Sequence, residues 1–564
     1  MKSFLPVFPP RRAASDASAS ASPRAAFFTL SLASMFGAWS RRAAAQSNAE
    51  ATPNPAHRVH RRTSAATSAA SSVALSATSA TSSSDESALL DADDARHLLI
   101  RTGFAPASAD LAPYVGLTRA QAVDRVLASA RTEAVTPLPA WCTEPLPTRA
   151  ERRAWTPDQR RDAQRTRGQH DDELRAWWMR EMLVTPSPLT ERMTLFWHNH
   201  FTSGQDKVPE PQMMAQQNSL LRRHALGSFA TLLHEVAKDP AMLLYLDGAS
   251  NRKGKPNENF AREVMELFTL GEGQYTQQDV AEAARAYTGW GVDPDTGRFV
   301  WRPAQHDDGV KTVLGHSGPF DGDAMLDILL GEPQTAQFVT AKLWREFISD
   351  TPDAAQLDNA AARFRASHYD ISAALRMLLL APAFWDERNR GVLVSSPVEF
   401  IVGTVRRFNV SYGETAPFAR TSAALGERLF YPPNVKGWPG GAAWINSTTL
   451  LARKQFVEQL FRATESARPR MANSMTKTAA SLPASAPIDG SVKAPPRAQG
   501  GMRFDLDGWL ARYGLTASEK PDLSQQLQMQ HAVLPRAPVD AIAAGSSAQA
   551  YLQALLMDPV YQLK

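Results

Sequence analysis

The sequence predicts a mainly α-helical protein, with a large multi-helix globular core, one small β-hairpin, and disordered N-terminal and internal segments. Three observations predict it. From Asp94 onward, apolar residues recur at helical spacing between caps and prolines. β-prone runs are confined to residues 291–320. Two stretches, 46–90 and 466–501, are too poor in large apolar residues to bury a core.

The chain has 564 residues, 43% of them hydrophobic and 21% charged, enough for a large core. Its net charge of +4 is unevenly spread. Residues 1–84 hold nine Lys/Arg against two acids, a net of +7, which leaves −3 for the rest. The body therefore offers no electrostatic case for nucleic acid. Cys142 is the only cysteine, so no intrachain disulfide forms, and the residue reads as a small packed side chain. No run of about 18 apolar residues after the leader suggests a membrane span.

Residues 1–45 read as an export signal. Arg11-Arg12 and Arg24 precede the apolar run Ala25–Trp39, and Ala43-Ala44-Ala45 offers a small-residue cleavage site. Arg11-Arg12 admits a twin-arginine route, although Ala13-Ala14-Ser15 fits that pattern poorly. Export would deliver the protein to the periplasm or the cell surface. Residues 46–90 form a spacer, 91–465 the helical core, 466–501 a low-complexity insertion, and 502–564 C-terminal helices that dock back on the core.

Within the core, Ala95–Ile100 closes at Gly103, and Thr118 caps a helix carrying Val123, Val126 and Leu127. Asp158–Leu183 is a long charged helix that turns Leu174, Trp177 and Trp178 inward. Ser187-Pro188 opens a helix running into Trp197-His198-Asn199-His200-Phe201. Asp239-Pro240 forces a break, and Thr276–Asp279 is a capping box. Phe299–Arg302 and Val310–Leu314, separated by the turn signal His306-Asp307-Asp308-Gly309, predict the hairpin. Leu375, Leu378, Leu379, Pro382 and Phe384 recur as Leu552, Leu555, Leu556, Pro559 and Tyr561. That is a helix stopped by proline, with a large apolar residue folded back.

The segment Pro256–Gly271 is central. Asn257 caps a helix that Gly271 ends. Phe260, Val264, Leu267 and Phe268 gather on one side. Glu258, Asn259, Arg262, Glu263 and Glu266 gather on the other, expected to lie mostly inside and to face the His198–His200 turn.

Six motifs stand in order: Phe196–Phe201, Pro256–Glu263, Glu266–Gly271, Ala283–Trp290, His306–Lys311 and Pro432–Gly441. Together they resemble the bacterial domain-of-unknown-function 1800 family, from about Asp94 to the end of the sequence and interrupted by 466–501. The resemblance implies an exported protein. It also implies a sulfatase- or phosphatase-like partner of the domain-of-unknown-function 1501 family. It supplies no catalytic residues, since the family has no established activity.

Four chemistries fit the residues. His198, His200, Glu258, His306 and Asp307 are an N/O set suited to a divalent metal. Residues two apart on a helix point about 200° apart, so both histidines reach one ion only where the helix has ended. The same polar face equally serves as a structural network around Arg262. Glu263 and Glu266, i and i+3 beside Arg262, could carry acid–base catalysis if crowding raises one pKa. Trp290, Trp438 and Trp444, with Asn434 and Lys436, could bind a sugar ring or a partner's apolar surface, or else bury the loop against helices. Two functions follow: an accessory or binding protein, or a metal-dependent hydrolase.

Overall fold

Local sequence sets most of the helix ends. The computed structural model describes residues 86–465 and 501–564. The export signal, the spacer up to residue 85 and the insertion at 466–500 lie outside the described residues. Thr118, Thr156, Thr276, Ser396 and Asp522 each close a capping box. Proline occupies the first turn of helices Pro157–Val184, Pro188–His200, Pro211–Arg223, Pro240–Tyr245 and Pro333–Phe347. The described residues form 22 α-helices and two small two-stranded ribbons, a mainly α fold.

Helix Pro157–Val184 begins on the surface with the pairs Arg161–Asp158 and Arg165–Asp162, contacts of little stability value. Its last turns bury Leu174, Trp177, Trp178, Met179 and Met182 against helices Pro211–Arg223, Pro397–Arg407 and Ala416–Ala424. Helix Pro188–His200 is buried almost all round, including its charges. Glu191 accepts from Arg222 at 2.5 and 2.9 Å and from the Trp178 indole at 2.8 Å. Buried ions persist because they are paired and hydrogen-bonded in this way.

The proline pattern acts through the following turn. Pro240, Pro382 and Pro559 each begin a new short helix after the previous one ends, and Met242, Phe384 and Tyr561 are buried.

Two features differ from expectation. The β-prone runs pair with separate partners. Strand β1 (Trp290–Val292) pairs with β2 (Phe299–Trp301), and β3 (Lys311–Val313) with β4 (His316–Gly318). The expected turn His306–Gly309 is docked instead on Thr288 and Arg285, so it joins two hairpins rather than closing one. The segment 256–271 is also not one α-helix. Glu258–Glu263 is α, but Val264–Thr269 is a π-helix, in which Leu270 N–H reaches the Met265 carbonyl at 2.8 Å. Thr269 Oγ1 donates to the Val264 carbonyl at 2.7 Å and holds the wide turn.

Residues 562–564 run beside residues 393–395. Ser395 N–H bonds the Gln562 carbonyl and Lys564 N–H the Leu393 carbonyl, both at 2.8 Å. Leu552, Leu555 and Leu556 pack into the common core.

Candidate functional site

The His-Asn-His segment sits at the end of helix Pro188–His200, and its three side chains serve three neighbours. His198 is 1% exposed, with ring centroids 5.5, 5.5 and 5.6 Å from Trp178, Phe430 and Trp438. Among the described residues its Nε2 has no hydrogen-bond partner, and burial pushes its pKa down to about 4. Asn199 grips the Tyr431–Ile445 loop: its Oδ1 accepts from Trp438 N–H at 2.7 Å. His200 has both nitrogens engaged. Nε2 bonds the Phe268 carbonyl at 3.1 Å, and Nδ1 faces the Lys342 ammonium at 3.0 Å. Lysine can only donate, so Nε2 carries the ring proton. Burial lowers the Lys342 pKa to about 8, and burial and then Lys342 hold His200 well below the usual imidazole range.

The polar face of 258–266 is half-buried, and the His198–His200 turn meets the apolar and backbone side of the segment instead. Glu258 lies at the surface, bound to Arg262 at 3.1 Å and Gln277 at 2.7 Å. Asn259 donates to the Leu246 carbonyl at 3.0 Å. Glu266 accepts from the Tyr275 hydroxyl at 2.6 Å, and Lys436 Nζ lies 3.7 Å from it. Burial, and then Glu266, raises the Glu263 pKa. The structure thus brings Glu263, Glu266 and Lys436 together and leaves the histidines elsewhere.

His306 bonds the Thr288 carbonyl at 2.8 Å, and Asp307 is held by Arg285 at 2.9 and 3.2 Å. The Arg285 hydrogen bond holds the Asp307 pKa down at about 2. Among the described residues, no three His, Cys, Asp or Glu side chains are grouped so as to hold a metal ion. Trp290 is 3% exposed and packs on Tyr287 and Phe299. Asn434 turns the loop by accepting from Lys436 N–H at 2.8 Å. Cys142 is buried, and that burial pushes its thiol up to about 12.

Trp438 and Trp444 line a cavity of about 110 Å3 whose charged lining sequence reasoning missed. Arg192, 1% exposed, pairs with Glu399 and, at 2.5 Å, with Glu346. Lys564 Nζ reaches Glu399 at 2.6 Å. Glu427 accepts from Val398 N–H at 2.8 Å, and burial raises its pKa. One signal was available in the sequence: Arg192 lies in a helix otherwise rich in large apolar residues, where a charge needs a partner. Its partners come from segments 150 or more residues away, which no local pattern names.

The family described as "Protein of unknown function (DUF1800)" matches residues 97–563. The chain belongs to that family. No curated protein and no solved structure matches it. The Asn199–Trp438 clamp joins two of the six motifs of this DUF1800 chain, and the His200–Phe268 bond joins another pair.

Proposed function

We propose that this DUF1800 protein is an exported binding or accessory protein, working with a sulfatase/phosphatase-like partner at the cell surface. One observation carries the binding half. The His-Asn-His segment is spent on structural contacts, and the contact made by Asn199 fixes a Trp-rich loop over a polar cavity. Export to the periplasm or surface rests on the leader pattern, with the twin-arginine route admitted by Arg11-Arg12. The partner, of the domain-of-unknown-function 1501 family, rests on the resemblance. Co-purification under mild conditions from cells expressing both genes tests it. Retention of the partner is expected, and its absence from every preparation overturns the reading.

A second reading, a metal-dependent hydrolase, draws support from one feature: the raised pKa of Glu263 beside Glu266, the environment of a general acid. Its histidine part draws less, since both His200 nitrogens are engaged. Metal analysis decides it. Stoichiometric metal in the folded chain, lost in His200→Ala, would displace the binding reading, and metal-free folded protein would sink the hydrolase.

A further inference from the structure

We propose that the cavity beneath Trp438 and Trp444 binds one neutral hydroxylated ring, the terminal residue of a saccharide. This deepens the binding-protein reading and rests on it.

The lining argues for that class. Arg192 and Lys564 donate, while Glu346, Glu399 and Glu427 accept, and opposite signs alternate across a small space. Arg192 stands among Glu346 and Glu399, and burial pushes both the Lys564 ammonium and the Glu427 carboxyl toward their neutral forms, so the wall has little net charge. A simple anion would meet Glu346 and Glu399, and a simple cation would meet Arg192. A hydroxyl group suits both kinds of wall, because it donates to a carboxylate and accepts from a guanidinium or ammonium. Several hydroxyls on one ring present that dual capacity in several directions.

The aromatic side of the cavity points the same way. Trp438 and Trp444 are more than nine-tenths buried yet line the opening, so their rings are held in fixed orientation. The exposed edge of a rigid indole gives the C–H face of a sugar a fixed apolar contact at little entropic cost. Trp438 is fixed from behind by His198 and through its backbone by Asn199. Gly440 and Gly441 also line the opening, which leaves room above the indoles.

Volume sets the size. About 110 Å3 holds roughly four waters at the ~30 Å3 each takes in the liquid. A whole hexose ring, with about three times the non-hydrogen atoms of those four waters, overfills that space, so one edge of a terminal ring enters and the rest stands outside. Arg345 and Asp350 stand exposed at the rim, where a second ring would sit.

Titration of the purified full chain tests this, read by tryptophan fluorescence and calorimetry. The probes are methyl glucoside, methyl galactoside, mannose and N-acetylglucosamine with their disaccharides, together with sodium sulfate and ammonium chloride. At least one saccharide should saturate with a Kd of about 1 mM or tighter. Glu427→Gln and Trp444→Ala should each weaken it about tenfold, the value of one such contact. Arg388→Ala, exposed and outside the cavity, should bind as wild type. If Trp444→Ala fails to fold, Trp444→Phe with Glu427→Gln carries the comparison. Folded protein that no saccharide saturates overturns the proposal. So does sulfate that displaces every bound probe, which marks an anion site, and so does unchanged binding by both folded variants. The titrations need no partner, so their failure is distinct from a failed co-purification.

Discussion

Three consecutive side chains leave one helix in three directions, and they differ in what their loss would cost. His200 satisfies the Phe268 carbonyl and faces the buried Lys342. His200→Ala strands both groups, so unfolding by urea should show a loss of about 2–4 kcal/mol, part orphaned polar groups and part cavity. His198 is different, because its Nε2 has no partner among the described residues and its cage is aromatic. His198→Phe removes a buried polar atom without stranding another, so it should change stability by less than about 1 kcal/mol. Both histidines titrate low, and His198 gives the cleaner pH test because its substitution strands no partner. The folded pKa of His198, about 4, lies below the ordinary 6.5 of the unfolded chain. Between those values the unfolded state binds the extra proton, so stability is present above 6.5 and is lost as pH falls toward 4. One proton corresponds to at most about 1.4 kcal/mol per pH unit. His198→Phe should flatten that slope in urea titrations at pH 4.5–6.5, and an unchanged slope would refute the assignment. The divergence of His198 and His200 was legible, since residues two apart on a helix point apart, although both prove buried. Their partners were not, because Phe268, Lys342 and Trp438 lie far along the chain.

At the scale of elements, helices with caps and prolines were readable because each signal acts within one turn. Thr276 and Asp279 form their capping box as expected. The π-helix at Val264–Thr269 was not readable, because one extra residue per turn leaves no mark in an apolar pattern that remains broadly periodic. That turn shifts the phase of Glu266 relative to Glu258, and the carboxylates stay on a half-buried face rather than facing the histidines. The Tyr431–Ile445 loop was recognised as stiff, but its anchor was not. Gly437 has φ +79, and a Cβ there would lie 2.2 Å from Asn199 Oδ1 and 2.7 Å from the Asn199 carbonyl. Gly440 has φ +69 with open space around it. Its ψ of −175 puts it in a region essentially confined to glycine, so Gly440→Ala should cost about 1–3 kcal/mol of backbone strain alone. Gly437→Ala adds a clash with backbone and should cost well over 2 kcal/mol or displace the loop. Denaturation midpoints measure both. Equal effects at the two glycines would remove the clamp from the account.

Across the whole molecule, one buried ion network joins segments that are remote in sequence. Arg192 comes from helix Pro188–His200, Glu346 from helix Pro333–Phe347, Glu399 from helix Pro397–Arg407, and Lys564 from the strand-like run beside residues 393–395. The mainly helical class was legible because it depends on many local patterns. This network was not, since it depends on topology alone. Its energetics are asymmetric. Burying ions costs desolvation, so the set adds little over apolar packing, but removing one member leaves the others buried without a counter-charge. Glu399→Gln removes the charge shared by Arg192 and Lys564 and should destabilise by about 3–5 kcal/mol. Because Lys564 then loses its closest partner, amide exchange should quicken in residues 548–564 beyond what global destabilisation explains. Glu258→Gln, by contrast, touches a surface pair whose side chains are 41% and 36% exposed, and should stay within about 0.5 kcal/mol. If Glu399→Gln were as mild as Glu258→Gln, with exchange in 548–564 unchanged, the helices and the terminal run would be held by apolar packing alone, and the network would be incidental to the fold.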